Sequence, residues 1–226
     1  MDVVLFLTCR GDGVLPAPLT RLAPRLVDIP GLIEALLHVP AEASDPYLGA
    51  QAGPSLVAEL RFGALTALED ATSAGGVMAR WLDPALEPWF GQLEVTQQAM
   101  ACRRYVGASQ ERGAGATRCT YLVAYTGRPA DYGVWLRHYL DHHVPLMRRL
   151  PALRELEVCT RLDWLSELPL PREDAVQRNK VVFDDAASLT AALHSPTRRE
   201  MRQDSDTSPP FEGGNVHYPM TTYRVA

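Results

Sequence analysis

The chain matches itself. Slid by 121 positions, Pro24 falls on Pro145, Pro30 on Pro151, Leu32 on Leu153 and Glu34 on Glu155. Further along, Phe62 falls on Phe183, Leu68 on Leu189, Pro88 on Pro209, Phe90 on Phe211 and Arg103 on Arg224. The register holds without a gap from Leu19 to Arg103, and many matches are prolines and phenylalanines, which coincide less often by chance than leucine or alanine. Such a period means a duplicated unit, which must be recognised before any motif is read. Between the copies lies 107–117, with three glycines and no large apolar residue; it cannot offset its own ordering by burial and reads as a linker. The 226 residues divide into units 1–106 and 118–226, each long enough to bury a core.

Periodicity within the second unit gives the order of elements. Thr120–Thr126 alternates and is rich in strand formers, and Leu153–Leu162, Gln177–Phe183 and Asn215–Val225 read as further strands. From Pro129 to about Leu150 the apolar spacing is helical, with Trp135, Tyr139, Leu146 and Leu150 near one face. Asp184 or Asp185 caps a second helix through Leu189, Leu193 and about Met201. The first unit repeats this order over Val3–Thr8, Pro18–Val27, Leu32–Val39, Ser55–Phe62, Gly63–Ser73 and Leu93–Tyr105. Two βαββαβ units are two ferredoxin-like sandwiches, an α+β class with an antiparallel sheet covered by helices on one face. The bare sheet faces need partners, and packing the two together as an α/β barrel within one chain meets that need. Whether this pseudo-dimer stays monomeric or forms a homodimer is open.

Composition narrows the function classes. A net charge of −5 disfavours a nucleic-acid binder, and no apolar run approaches the roughly 20 residues needed to cross a bilayer. The start, Met1-Asp2-Val3-Val4-Leu5, reads as a strand rather than a leader, and Cys9, Cys102, Cys119 and Cys159 form no Cys-x-x-Cys pair. These features give the expectation of a cytoplasmic chain with reduced thiols, no disulfide framework and no structural metal.

Chemistry concentrates in His138-Tyr139-Leu140-Asp141-His142-His143-Val144-Pro145. Pro145 cannot donate to the carbonyl of Asp141 and disfavours a helical Val144, so the helix must kink or restart beside two imidazoles. His143 is the expected general acid/base, with Tyr139 one turn earlier sharing its hydrogen bonding. His142 projects about 100° round a regular helix from His143, so the two cannot chelate one metal, and His142 is expected to orient the substrate or to be solvated. His138 and His142 have the i,i+4 spacing of a metal pair, but no Glu follows His138 and no third ligand is apparent. His217 and Tyr218 open the last strand, where alternation sends one of them into the barrel. Tyr125, Trp135 and Phe211 are further candidates to line a substrate site. Arg198-Arg199-Glu200-Met201-Arg202 reads as a solvated helix end and 203–215 as a loop anchored by Phe211. Trp81, Trp89, Phe90 and Trp164 read as small-core or lid residues.

The run Tyr139-x-x-x-His143-x-Pro145-Leu146, followed by Leu150-Pro151-x-Leu153 and a strand, resembles the signature of the EthD-like family, in the dimeric α/β-barrel superfamily. The resemblance covers about 118–226, including the turn at Pro209-Pro210-Phe211. The first unit departs from it: Arg21 and Leu22 stand where the second has His142 and His143, while Pro24 and Ile29-Pro30-Gly31-Leu32 persist. The resemblance implies a fused pseudo-dimer with one intact and one degenerate site. EthD-like proteins are associated with ether breakdown and polyketide-type tailoring, including dehydratase-like steps. Relatives include cofactor-independent monooxygenases, cyclases, isomerases and haem enzymes, with a pocket between helix and sheet for small, often aromatic molecules. The implied function is a cofactor-independent enzyme of oxidoreductase or lyase type acting on such a molecule. The alternative is a non-catalytic binding or accessory protein in a degradation pathway.

Overall fold

A computed structural model describes residues 2–11, 26, 28–49, 52–81, 93–107 and 117–225. Eight strands run in chain order: β1 (Asp2–Arg10), β2 (Leu32–Pro40), β3 (Leu56–Phe62), β4 (Glu94–Gly107), β5 (Thr117–Pro129), β6 (Glu155–Arg161), β7 (Ala175–Phe183) and β8 (Phe211–Arg224). The described helices are α1 (Leu65–Ala71), α2 (Val77–Trp81), α3 (Tyr132–His138), α4 (Val144–Met147), α5 (Ala186–Leu193) and α6 (Pro196–Asp206). A single π-helical segment, Tyr139–His143, joins α3 to α4.

All pairings are antiparallel, and the order β1-β3-β2-β8-β5-β7-β6-β4 closes on itself. Each unit contributes a four-stranded sheet in ferredoxin-like order, β4-β1-β3-β2 and β8-β5-β7-β6. Their edges join at two seams, β2 with β8 and β4 with β6. Closure removes all four sheet edges, and with them the exposed ladder groups that invite aggregation. The expected intrachain α/β barrel is the fold.

Strand alternation sorts side chains between two environments. On β3, Ala58, Leu60 and Phe62 join an outer core with Leu68 of α1 and Met78 of α2, while Val57 faces a small inner core with Val4, Phe6, Met100, Leu122 and Met220. A second outer core lies between β5–β7 and the helices of the second unit. The inner face also carries Glu59 and Arg61, both buried. Lys180 Nζ lies 2.9 Å from Glu59, 3.0 Å from Glu155 and 3.2 Å from Glu157. Arg61 lies 2.6 Å from Glu157 and 3.1 Å from Glu59, and His38 bridges Glu59 and Thr222 at 3.1 and 2.8 Å. Burial alone would raise the Glu59 carboxyl, but Lys180, His38 and Arg61 outweigh it and hold the group below its ordinary range. Burial opposes the Lys180 charge in the same way, and Glu59, Glu157 and Glu155 raise it above its ordinary value.

Two loops cross between the units. The segment 41–49 leaves β2 and packs Ala43 into the second outer core, with Ser44 N–H donating to Thr190 Oγ1 at 3.3 Å. In return, Trp164 and Leu168, after β6, pack into the first outer core. Trp164, expected as a small-core or lid residue, is a core residue under the Arg172 guanidinium, 4.5 Å from the ring centre.

Several expectations need correction. The long helix from Pro129 is replaced by α3, the π segment and α4; Pro129 ends β5, and Asp131 caps α3 by accepting from Val134 N–H. The helix expected from Asp184 or Asp185 to about Met201 is two, because Ser195 turns to extended backbone before Pro196, which sits where a helix start needs no N–H donor. Residues 203–206, expected in a loop, complete α6, and β8 begins at Phe211. Gly127 and Gly213 lie opposite each other on β5 and β8 with φ of 133° and 151°; a Cβ on either would strike the facing carbonyl. Cys102 and Cys159 are joined in a disulfide, against the expectation of reduced thiols, because the β4–β6 seam places them directly opposite each other. Cys9 and Cys119 are buried free thiols. The expected helix Pro18–Val27, apart from Leu26, lies outside the described residues, as do Arg21, Leu22, Pro24, Trp89, Phe90, the Trp81 side chain and 108–116 of the linker.

Replacing Lys180 by Met leaves Glu59 and Glu157 buried with a single guanidinium between them. Urea denaturation should show a loss of about 3–5 kcal/mol, part of it recovered by adding Glu59→Gln.

Candidate active site between helix and sheet in the second unit

The break at Pro145 shapes the site. With no N–H at Pro145, the chain widens by one residue, and Val144 N–H bonds the Tyr139 carbonyl five residues back. The wider turn directs both Tyr139 and His143 inward, so both are buried. Their rings meet at 4.8 Å between centroids.

His143 Nδ1 lies 2.7 Å from Asp204 Oδ2, and His138 Nε2 lies 3.4 Å from Asp204 Oδ1. A carboxylate only accepts, so the His143 proton sits on Nδ1 and Nε2 carries the lone pair. Burial pushes the His143 imidazole below its ordinary value, only partly offset by Asp204, so it is neutral at neutral pH. The Tyr139 hydroxyl accepts from Asn179 Nδ2 at 2.5 Å, and Asn179 Oδ1 accepts from Gln177 at 3.2 Å, which pins the amide. Burial raises the Tyr139 hydroxyl well above its ordinary value, so it stays a neutral phenol.

His143, Tyr139 and Asn179 line a cavity of about 90 Å³ with Tyr125, Met147, Arg198, Met201 and His217. Next to it, under the 41–49 loop, lies a larger cleft of about 640 Å³. Leu48, Tyr121, Leu193 and His217 line both, so the cleft is the approach to His143. Arg198 fixes the loop over the site: two guanidinium nitrogens reach Asp45 Oδ2 at 2.9 and 3.2 Å, and Tyr121 donates to the same oxygen at 3.0 Å. Burial and nearby Arg198 pull the His217 imidazole down to about 4.

Of the expected site residues, His143, Tyr139, Tyr125 and His217 share one cavity wall. Trp135 and Phe211 stand behind Tyr125 at 5.7 and 6.3 Å, as an aromatic backing rather than as lining. His142 is exposed and stacks on His138 at 4.6 Å, because the π turn directs it away from the sheet. Tyr218 faces the barrel interior, since alternation gives the outer side to His217. Tyr139 touches His143 ring to ring but sends its hydroxyl to Asn179; the hydrogen-bond partner of His143 is Asp204, 61 residues on. Asp204, Asn179, Asp45 and Arg198 escaped the sequence reading. The signal for Asp204 was Pro196: once a helix starts there, Arg198, Met201 and Ser205 share its inner face, and Asp204 lies beside it. Arg198 and Met201 are accordingly buried, not part of a solvated helix end. Among the described residues, no helix is long and apolar enough to cross a membrane.

No protein family's profile matches the chain, and no curated protein does. Solved structures do. An anthrone oxidase-like protein matches at a TM-score of 0.63 and 14% identity, over 100% of this chain and 93% of that one. A putative monooxygenase from Lactobacillus acidophilus matches at 0.57 and 12%, over 100% and 94%. An EthD family protein from Bacillus halodurans aligns at 21% identity over 43% of this chain and 96% of its own, at a TM-score of 0.34. The first two likenesses span the whole chain and show its fold, an eight-stranded antiparallel barrel with outer helices closed within one chain.

His217 and His143 are held neutral by burial, whereas the unfolded chain protonates both near pH 6.5. Stability is therefore full above about pH 7 and falls as the pH drops toward 4, with His217 alone losing about 3 kcal/mol. Urea midpoints measured from pH 7.5 to pH 4.5 should decline, and His217→Phe should flatten the decline.

Proposed function

We propose that the chain is a cofactor-independent enzyme of EthD-like type that acts on a small hydrophobic or aromatic molecule, with His143 as general acid/base. One observation carries this reading: a neutral, buried imidazole, oriented through Nδ1 by a carboxylate, lines a largely apolar cavity together with a pinned amide and phenol. A base that must take a proton from a weakly acidic C–H or O–H works best when it is neutral and desolvated at the working pH. Asp204 then stabilises the imidazolium that forms, and the Asn179–Tyr139 pair offers polar contact to a substrate oxygen that gains charge. His143 and Tyr139 are the proposed catalytic residues; Tyr125 and His217 contact substrate, with Trp135 and Phe211 behind them. The first unit closes the barrel and supplies the Asp45 loop over the cleft.

The names of the neighbours, an anthrone oxidase-like protein and a putative monooxygenase, favour an oxidation among the possible outcomes. In such a reaction the deprotonated substrate passes its electrons to dioxygen. A second reading rests on size. The cavity at His143 is about 90 Å³, below the roughly 300 Å³ of common ligand pockets, so most of a ligand would lie in the outer cleft. A binding or accessory protein for the same class of molecule fits that arrangement.

A panel of small phenolic and quinonoid aromatics with an acidic C–H, an anthrone among them, separates the two readings. Turnover followed by oxygen uptake and absorbance should rise with pH as His143 deprotonates, and should fall roughly 100-fold or more in His143→Asn. Asp204→Asn should lower the rate less and move the low-pH limb further down, since the carboxylate that raises the His143 value is gone. Thermal stabilisation by panel members without turnover would support the binding protein instead. A ligand seated in the first unit, with the His143 cavity closed, would show that the wrong half carries the site.

A further inference from the structure

Closing two sheets into a barrel leaves an interior that the proposed chemistry does not use. One end is filled by the Glu59–Lys180 cluster and the middle by the inner core. The other end holds a cavity of about 200 Å³. Its walls are mainly apolar, with Phe6, Val57, Leu122, Ala124 and Tyr218 among them, and Arg10 and Arg178 stand over these residues. Both guanidinium groups turn to one carboxylate, Glu173: Arg10 Nη1 at 2.9 Å, and Arg178 through Nη2. The Thr96 hydroxyl donates to the same carboxylate at 2.7 Å. The neighbouring Asp174 is occupied by Arg161 at 2.7 Å. Arg178 also lies with its guanidinium 5.0 Å over the Phe6 ring, and its Nε reaches Gln98 Oε1 at 3.4 Å.

We infer that this end of the barrel is a second small-molecule site, distinct from the His143 cavity, that takes an apolar monocarboxylate of about the size of a benzoate. Two guanidinium groups on a single carboxylate leave positive charge in excess at the mouth of an apolar chamber. An incoming carboxylate completes the pairing with the planar, bidentate geometry that arginine favours. The apolar body of the ligand then buries against Phe6, Val57, Leu122 and Tyr218, the part of recognition that sets the size class. Burial, and after it the nearby Arg10, pull Arg178 down to about 10. The two cavities lie on either side of the sheet: Arg178 lines the barrel chamber and Asn179, the next residue, reaches Tyr139 on the outer side. Val123 and Asn179 stand in the wall that both cavities touch.

The test is fluorine NMR of the full chain titrated with 4-fluorobenzoate, with neutral 4-fluorobenzamide and inorganic phosphate as controls. The benzoate should bind saturably and roughly tenfold or more tightly than either control, and Arg178→Gln should weaken it by a similar factor. Should Arg178→Gln fail to fold, Arg10→Gln at the half-exposed rim should weaken binding several-fold, and Ala124→Leu, which fills the chamber from β5, should abolish it. His143→Asn should change the affinity by less than about twofold, which separates this site from the proposed catalytic one. Equal binding of the benzamide, equal competition by phosphate, loss of binding in His143→Asn, retention in Ala124→Leu, or no saturable binding would each overturn the assignment.

Discussion

The ion pair between Glu59 and Lys180 is the contact on which the rest of the architecture depends. The 121-residue register places these two residues at equivalent positions of the two units, and the barrel brings them to 2.9 Å from each other across its interior. In a barrel of identical copies this position would set like against like, and two buried carboxylates or two buried ammonium groups repel. With Glu in one unit and Lys in the other the contact is attractive, and Arg61, Glu157 and His38 complete the pairing. A buried pair of this kind adds less stability than its Coulomb energy suggests, because both charges lose their water. Its effect is on specificity: the first unit prefers the second over another copy of itself.

With the inner faces committed to each other, the outer faces are left for helices, and the outer face of the second unit carries the chemistry-bearing cluster. The units also exchange loops, which makes the site a property of the whole chain. Asp45 belongs to the first unit but is held by Arg198 and Tyr121 of the second, and the 41–49 loop roofs the cleft that leads to His143. Loss of the first unit would thus expose the inner sheet face and also unroof the site.

The same geometry explains the polarity of the cavity. His143 is neutral because its burial outweighs the pull of Asp204, and His217 is pushed lower still because burial is joined by the positive charge of Arg198. Arg198 is paired with Asp45, yet its charge still disfavours protonation of both imidazoles. The result is a pocket whose imidazoles are bases rather than cations at neutral pH, next to a phenol and an amide that cannot ionise there.

Local patterns were enough to read the order of the strands and the break at Pro145, because each is set by neighbours in the chain. Alternation declares a strand, and a missing N–H declares a helix fault. That is why His143 and Tyr139 were legible as a candidate pair from sequence. Their partners were not. Asp204 is 61 residues from His143 and Asn179 is 40 from Tyr139; Asp45 is 153 from Arg198, and Cys102 is 57 from Cys159. Those pairings exist only after β4 meets β6, β2 meets β8 and α6 docks on the π turn. Which of His217 and Tyr218 faces the site, and that Trp135 and Phe211 stand behind it, likewise followed from strand register and helix rotation. The sequence by itself determined where the strands run and where a helix breaks beside a cluster of imidazoles. The tertiary structure decided which of them meet, because a hydrogen bond or ion pair depends on distances that barrel closure sets and local periodicity does not encode.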